Sequence, residues 1–483
     1  MSRRIRPRKT SPRKPAPRQT SLHRLSHNVR ISRARTQALA SRTRRRILDR
    51  PIFYTLLIAS VLTFVFAGWP FTRAHLQAIV ILQQVSGQPV PAIIGDAVGQ
   101  TISTEDISLD TESGPVRGRM YLPEEKDPAH PKAPALIVLH GVHHLGIDEP
   151  RLESFAAAMA SCGIRVLTPE LPDIKDYHVD STSIKTIGES TQWFARKTGG
   201  PVGVMGLSFS GGLALVAAAD PLYKPDFKFV FAVGAQDSMG RVAQYYRTGE
   251  ATRPNGTVDL LPAHEYGPLV LEYEYVEDFV QPRDIAPIRA VLRAHLYEDK
   301  PAEQAASARL SKFQKLEALE LMDATSPKTR ALIAAATAKH AEEMNGLSPR
   351  GHLASMTTPV YLLHGQADNI IPSAETLWMA SELPSVSLQA MLVSPVISHL
   401  DFQSAKPTLY DQWKLIHFFA LVMHAAETPN GKTPWLAAVY EVFGRSSSNA
   451  TFIACASALS RLSRVHSMES PVSRADKRMW ASI

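Results

Sequence analysis

Between residues 135 and 238 short apolar runs alternate with helix-forming stretches, and this rhythm constrains the fold more than any other feature of the chain. "ALIVLHG" (135–141) shows no polar alternation, the signature of a strand covered on both faces. "PRLESFAAAMASCG" (150–163) follows as a helix closed by glycine, and "IRVLTPEL" (164–171) as a second strand. A helix at 184–197, a strand at 201–205, a helix at 212–219 and the strand "FKFVFAVGA" (227–235) continue the series. Strands alternating with helices predict an α/β protein with a mostly parallel, doubly wound sheet. Upstream, "ISTEDISLDTESGPVRGRMYLP" reads as two alternating strands joined by a Glu-Ser-Gly turn, an antiparallel hairpin.

The rhythm breaks at 239–357, where the chain turns charged and Ala-rich, with helical periodicity and no convincing buried strand. It resumes with the strand "PVYLLHGQAD", a helix at 374–383, the strand "SLQAMLVS" and a closing helix at 410–424. The middle block is expected to be a helical insertion lying over the strand ends as a lid. The chain then divides into a basic tail (1–50), a membrane span (51–70), a juxtamembrane connector (71–100), a first core segment (101–238), the insertion (239–357), a second core segment (358–426) and a C-terminal tail (427–483).

The N-terminal tail holds the net positive charge of the protein. Residues 1–50 carry seventeen Lys and Arg against the single acid Asp49, more than the whole chain's net +8, so the remainder is net acidic. Rich in Arg, Ser and Pro and poor in apolar residues, the tail cannot bury a core and is expected to be disordered. Nucleic-acid binding is one reading of such a tail, and the apolar segment after it favours another. "IFYTLLIASVLTFVFAGW" (52–69) has no charged residue and, at about 1.5 Å per residue, is long enough for roughly 27 Å of bilayer. Tyr54 and Trp69 stand near its ends, where aromatic belts sit. Arg42, Arg44, Arg45, Arg46 and Arg50 precede it and predict a cytoplasmic N-terminus with the body on the outer face of the cell membrane, and nucleic acid is not an expected partner. The alternative is a cleaved export signal, with "TRRRIL" (43–48) as a twin-arginine segment and Val65 and Ala67 as a small-residue cleavage pair. Two cysteines, Cys162 and Cys455, allow at most one disulfide and no Cys-based metal site.

The chemistry lies at strand ends. In "VMGLSFSGGLAL" (204–215), Ser208 follows the last glycine of a strand by two residues and precedes a helix, the setting of a nucleophile elbow. The usual pattern is G-x-S-x-G, and here Ser210 replaces the last glycine, as a small residue where strand and helix backbones pack closely. A serine hydroxyl needs a base within hydrogen-bond reach, and that base needs a carboxylate to fix its tautomer. "HGQADNIIP" (364–372) follows a later strand and offers Asp368, with Asp237 as a rival acid after an earlier one. "SPVISHLDF" (394–402) follows the next strand and offers His399, beside Asp401.

The order Ser208, Asp368, His399, together with "HGxxDxxxP" and "SHxD", resembles the α/β-hydrolase superfamily, in particular esterase-like and dienelactone-hydrolase-like serine hydrolases. The resemblance covers roughly residues 101–238 and 358–426. It implies an α/β-hydrolase fold, a Ser208-His399-Asp368 triad and an acyl-enzyme intermediate. The oxyanion amides would be those of Val142, after the His-Gly pair of "LHGVHHLGIDEP", and Phe209, after the nucleophile. His140, His143 and His144 invite a metal reading, but a loop lacks the i, i+4 spacing of a helical metal site and offers no obvious carboxylate partner beyond Asp148. No metal or cofactor is expected. The expected function is cleavage of an ester or related acyl bond in a small-molecule substrate by a membrane-anchored serine hydrolase. Acyl transfer or peptidase work with the same triad is the alternative enzymatic reading, and an anchored binding protein on a retired hydrolase fold the non-enzymatic one.

Overall fold

Five consecutive apolar residues offer no polar face to water, so a strand built from Ala135–Leu139 must be covered on both sides, and all five are buried. In the computed structural model, which describes residues 54–63, 68–112, 114–124, 133–397 and 407–432, this strand lies inside an eight-stranded sheet. Its members are β1 (Ile102–Thr111), β2 (Gly114–Pro123), β3 (Ala135–Leu139), β4 (Arg165–Pro169), β5 (Val202–Leu207), β6 (Phe227–Val233), β9 (Val360–Gly365) and β10 (Leu388–Ser394). Their spatial order is β1-β2-β4-β3-β5-β6-β9-β10. β2 runs against both of its neighbours, and every other pairing from β4 to β10 is parallel. β1 and β2 form the hairpin read from the sequence, in register from Ile102↔Pro123 to Thr111↔Gly114.

Alternate strand residues serve two cores. Ile137, Leu139 and Val204 join a cluster covered by α4 (Ser181–Thr198), α5 (Phe209–Ala219) and α12 (Ala374–Glu382). Leu136, Val138, Phe229 and Phe231 join the opposite cluster, covered by α3 (Pro150–Ser161) and α13 (Leu409–Glu427). Glu149 accepts from the Leu152 amide ahead of Pro150 to start α3, and Gly199, at φ 81°, ends α4 in a conformation that favours glycine.

Residues read as a connector contribute to the second core. Helix α2 (Gly68–Val85) buries Ala74, Ala78 and Ile81 in the same cluster as Phe418 of α13. Its His75 meets His417 at 2.9 Å, Nε2 to Nδ1. Cys162 is a buried free thiol, and its prospective partner Cys455 lies outside the described residues.

The block 239–357 is helical: α6 (Met239–Thr248), α7 (Tyr266–Glu274), α8 (Ile285–Leu296), α9 (Lys300–Arg309), α10 (Lys312–Leu321) and α11 (Pro327–Lys339). It also holds a small hairpin, β7 (Glu250–Thr252) with β8 (Val258–Leu260). Only Ala251 of those strands is buried, so they leave no buried apolar run to read in the sequence.

Residues up to Trp69 form a unit of their own. In it α1 (Tyr54–Thr63) leaves Leu56, Ile58 and Val61 more than half exposed. Among the described residues no single helix is long and apolar enough to cross a membrane. The basic tail to residue 50 and the C-terminal residues from 433 lie outside the described residues.

Candidate active site

A sheet in the order β1-β2-β4-β3-β5-β6-β9-β10, with β2 reversed and a serine at the sharp turn from β5 into α5, is the α/β-hydrolase fold, and the chain has it. The turn is an elbow in the literal sense. Ser208 sits at φ 57°, ψ −133°, a region that costs a non-glycine residue about 1–3 kcal/mol. Neighbouring hydrogen bonds hold it there: the Ser208 amide donates to the Val233 carbonyl at 2.8 Å, and the Gly211 amide donates to the Ser208 carbonyl at 3.0 Å. Ser210 adds a third tie, its Oγ donating to the Leu207 carbonyl at 2.7 Å and accepting from the Leu207 amide at 3.0 Å.

The elbow also explains its imperfect motif. A Cβ on Gly206 would lie 2.5 Å from the Gly211 Cα, and one on Gly211 would lie 2.8 Å from the Gly206 carbonyl oxygen. The close approach of strand and helix thus falls on Gly211, one residue beyond the place the usual pattern reserves for glycine. Position 210 is left for a side chain that caps the strand end.

The loop after β3 reaches the serine. A Cβ on Gly141 would stand 3.6 Å from the Ser208 Cβ, so this peptide passes directly beside the elbow. His140 fixes the loop. Its Nε2 accepts from the Leu171 amide at 2.9 Å, which leaves Nδ1 to carry the proton and donate to the Gly141 carbonyl at 2.8 Å. Burial holds this imidazole down at about 4, so it stays neutral at physiological pH. In a trans peptide the C=O and the following N–H point in opposite directions, so tying the Gly141 carbonyl to His140 turns the Val142 N–H away from it. Among the described residues no protein acceptor meets the Val142 N–H, and the Phe209 amide, at the first position of α5, has no acceptor within its own helix.

The histidines next to this loop have other work. His143 Nδ1 accepts from the Leu145 amide, the His143 and His144 rings stack at 4.6 Å, and His144 stacks on Tyr297 at 4.9 Å. Among the described residues no group of three His, Cys, Asp or Glu side chains is arranged to hold a metal ion.

Asp368 is buried in the turn after β9, where its Oδ1 accepts from the amides of Ile370 and Ile371 at 3.0 and 3.1 Å. His364 supports the same turn, its Nε2 2.7 Å from the Ile371 carbonyl and 3.4 Å from Asp368 Oδ2. The rival acid Asp237 is committed elsewhere. It pairs with Arg241 at 2.6 Å, Arg241 also pairs with Glu375 at 2.6 Å, and burial raises the Asp237 carboxyl to about 7.

His399 and Asp401 lie outside the described residues. The chain leading to His399 is described as far as Ile397, and a Cβ on Gly365 would lie 2.7 Å from the Ile397 carbonyl oxygen. The loop after β10 therefore passes against the end of β9, three residues from Asp368.

A cavity of about 30 Å³, lined by Phe209 of the elbow, Val179, and Met239, Tyr246, Val270 and Met344 of the insertion, opens beside the site. It has room for one or two waters. The insertion side chains that touch the site, above all Tyr266, whose hydroxyl donates to the Val142 carbonyl at 2.7 Å, carry no sequence motif.

No protein-family profile and no curated protein matches the chain. Solved structures similar to it include brefeldin A esterase, a bacterial homologue of human hormone-sensitive lipase (12% identity, TM-score 0.40, 72% of this chain and 86% of that one). A hyperthermophilic esterase from the archaeon Pyrobaculum calidifontis is similar at 14% identity and TM-score 0.37, over 73% of this chain and 92% of its own. The Pyrococcus horikoshii acylaminoacyl peptidase is similar at 12% identity and TM-score 0.36, over 64% of this chain. The match spans about two fifths of that peptidase's length, 39%.

Proposed function

We propose that the protein is a serine hydrolase that cleaves an ester or related acyl bond through Ser208, His399 and Asp368, and that residues 51–70 anchor it in the cell membrane. The observation that carries this reading is the strained Ser208 with the pinned Gly141 peptide beside it. Strain at one buried-edge serine, held by the hydrogen bonds around it, is what a nucleophile elbow requires and what a plain Gly/Ser turn does not.

In the proposed reaction Ser208 Oγ attacks the acyl carbonyl as its proton passes to His399, whose protonated ring Asp368 orients and stabilises. The carbonyl oxygen becomes an oxyanion facing the amides of Val142 and Phe209. The proton then goes from His399 to the leaving alkoxide, the acyl–oxygen bond breaks, and an acyl-enzyme remains. Water, deprotonated by His399, attacks the acyl-enzyme, and Ser208 leaves with that proton. The insertion acts as the lid of the acyl pocket. The cavity beside the elbow, lined by Phe209 together with side chains of α6 and α7, supports this.

The test is labelling of the full chain with a fluorophosphonate probe. Ser208→Ala should abolish labelling and lower the hydrolysis of short-chain aryl esters by three or more orders of magnitude, since triad members act as a unit. His399→Ala should behave alike. Labelling that persists in Ser208→Ala would remove the assignment.

A further inference from the structure

From the hydrogen bond between Tyr266 and the loop after β3, we infer that the insertion is a working part of the active site: Tyr266 is a positioning residue that aims the oxyanion amide of Val142. The inference rests on the proposed serine-hydrolase reading and adds a residue to it.

Two peptides flank Val142. The one before it carries the N–H assigned to the oxyanion, and its plane is set by His140 through the Gly141 carbonyl. The one after it is held by the insertion, because the Tyr266 hydroxyl donates to the Val142 carbonyl at 2.7 Å. With both neighbouring peptides fixed, φ and ψ of Val142 have little freedom left, and the N–H direction is fixed with them. His140 alone constrains one side. The Val142 side chain is itself gripped between two clusters, one belonging to the sheet and one to the insertion.

Tyr266 is rigid for its part. It begins α7, its ring meets Tyr177 edge-on at 6.0 Å, and Tyr177 is buried with its hydroxyl donating to the Leu296 carbonyl of α8 at 2.7 Å. The turn just before Tyr266 is tied to the acid side of the site. The His264 amide donates to the Asn369 carbonyl at 2.9 Å, and the Tyr266 amide donates to His264 Nδ1 at 3.2 Å. The Tyr245 hydroxyl of α6 also donates to the Asn369 carbonyl, at 3.2 Å. Residues 264–266 therefore bridge the turn holding Asp368 to the loop holding Val142. Those two turns belong to opposite halves of the fold, after β9 and after β3, and this stretch of the insertion links them by hydrogen bonds. An insertion that served as a cover alone would have no need of either bond.

The decisive variant is Tyr266→Phe in the full chain, which keeps the ring and removes one hydroxyl. With short-chain aryl esters, kcat should fall about 10- to 30-fold, since one misaimed donor costs less than a deleted one. KM should stay within about twofold and the thermal midpoint should move little. The rate of fluorophosphonate labelling should fall by the same factor as kcat, because the phosphonyl oxygen uses the same amides. Tyr245→Phe, which removes a hydroxyl from the acid side and leaves Val142 untouched, serves as the comparison and should affect kcat less than Tyr266→Phe. A Tyr266→Phe protein with unchanged kcat, or one that loses kcat only together with a raised KM and a lowered melting temperature, overturns the inference. If Ser208→Ala still labels, the underlying reading fails instead, and the two failures are distinguished by that one control.

Discussion

At the scale of single residues, the site separates side chains that sequence pattern can name from those it cannot. Ser208 and Asp368 stand where motif and chain order put them, at the strand ends of β5 and β9. Asp368 serves its turn through Oδ1, which accepts from the amides of Ile370 and Ile371, and the acid role proposed for it would fall to Oδ2. Ser210 was legible only by size, because small volume is visible in a sequence and a hydroxyl folding back onto Leu207 is not. The role of Gly211 follows from a backbone approach so close that a Cβ on Gly206 would lie 2.5 Å from the Gly211 Cα, which no pattern states. Asp237 and Asp368 are the sharpest contrast. Both are buried acids after parallel strands, yet Asp237 is engaged by Arg241 while Asp368 closes the turn beside the loop that leads to His399. Asp368→Asn should therefore cut turnover at least a hundredfold. Asp237→Asn should keep turnover and labelling within about threefold of the parent, with Glu375 still pairing Arg241. Steady-state kinetics of the two variants side by side check this, and reversed effects would move the acid to β6.

Elements were legible wherever a buried face imposed a period. The apolar runs of β3, β5, β6 and β9 are buried on both sides, and the sequence places each of them to within three residues. Periodicity states that a face is buried and is silent on what buries it. Residues 71–100 read as a connector, and only the folded chain shows α2 packed with α13. The insertion is similar: α6 places Val242, Tyr245 and Tyr246 in the same core as Phe209 and Leu213, so its first helix belongs to the body. The α2–α13 junction is pH-sensitive by construction. His75 and His417 share a hydrogen bond, Trp413 stacks on His75 at 5.3 Å, and burial lowers both imidazoles, His417 to about 4. The folded protein holds both neutral, while the unfolded chain takes up protons below about 6.5. The stability they contribute is therefore complete above about pH 6.5 and lost as pH falls toward 4. His140, also held at about 4, adds to the same decline. His417→Gln removes one titrating ring and keeps a donor for His75, so its melting temperature should fall less steeply than the parent's between pH 7 and 4.5. Parallel curves for the two proteins would clear this junction of the effect.

At the scale of the whole molecule, charge and hydropathy are segregated along the chain, and the proposed membrane anchor rests on that segregation. The net positive charge sits in the first fifty positions, an uncharged apolar stretch follows, and the net acidic remainder holds the proposed active site. On α1, Leu56, Ile58 and Val61 are more than half exposed, and the proposed anchor would give these apolar side chains a lipid surface to face. Under the proposed anchoring, the arginines just before this segment would keep their side of the bilayer cytoplasmic and send the body to the opposite face. The protein should accordingly sediment with membranes, resist extraction by high salt and carbonate, and dissolve in detergent. Salt and carbonate strip proteins held by charge, and a hydrocarbon-embedded helix survives both. Protease added to intact spheroplasts should digest the body and destroy fluorophosphonate labelling without permeabilisation. Protection of the body in intact cells would reverse the orientation. A mature protein released into the soluble exported fraction, with its N-terminus near Gly68, would show that the apolar stretch had been a cleaved signal.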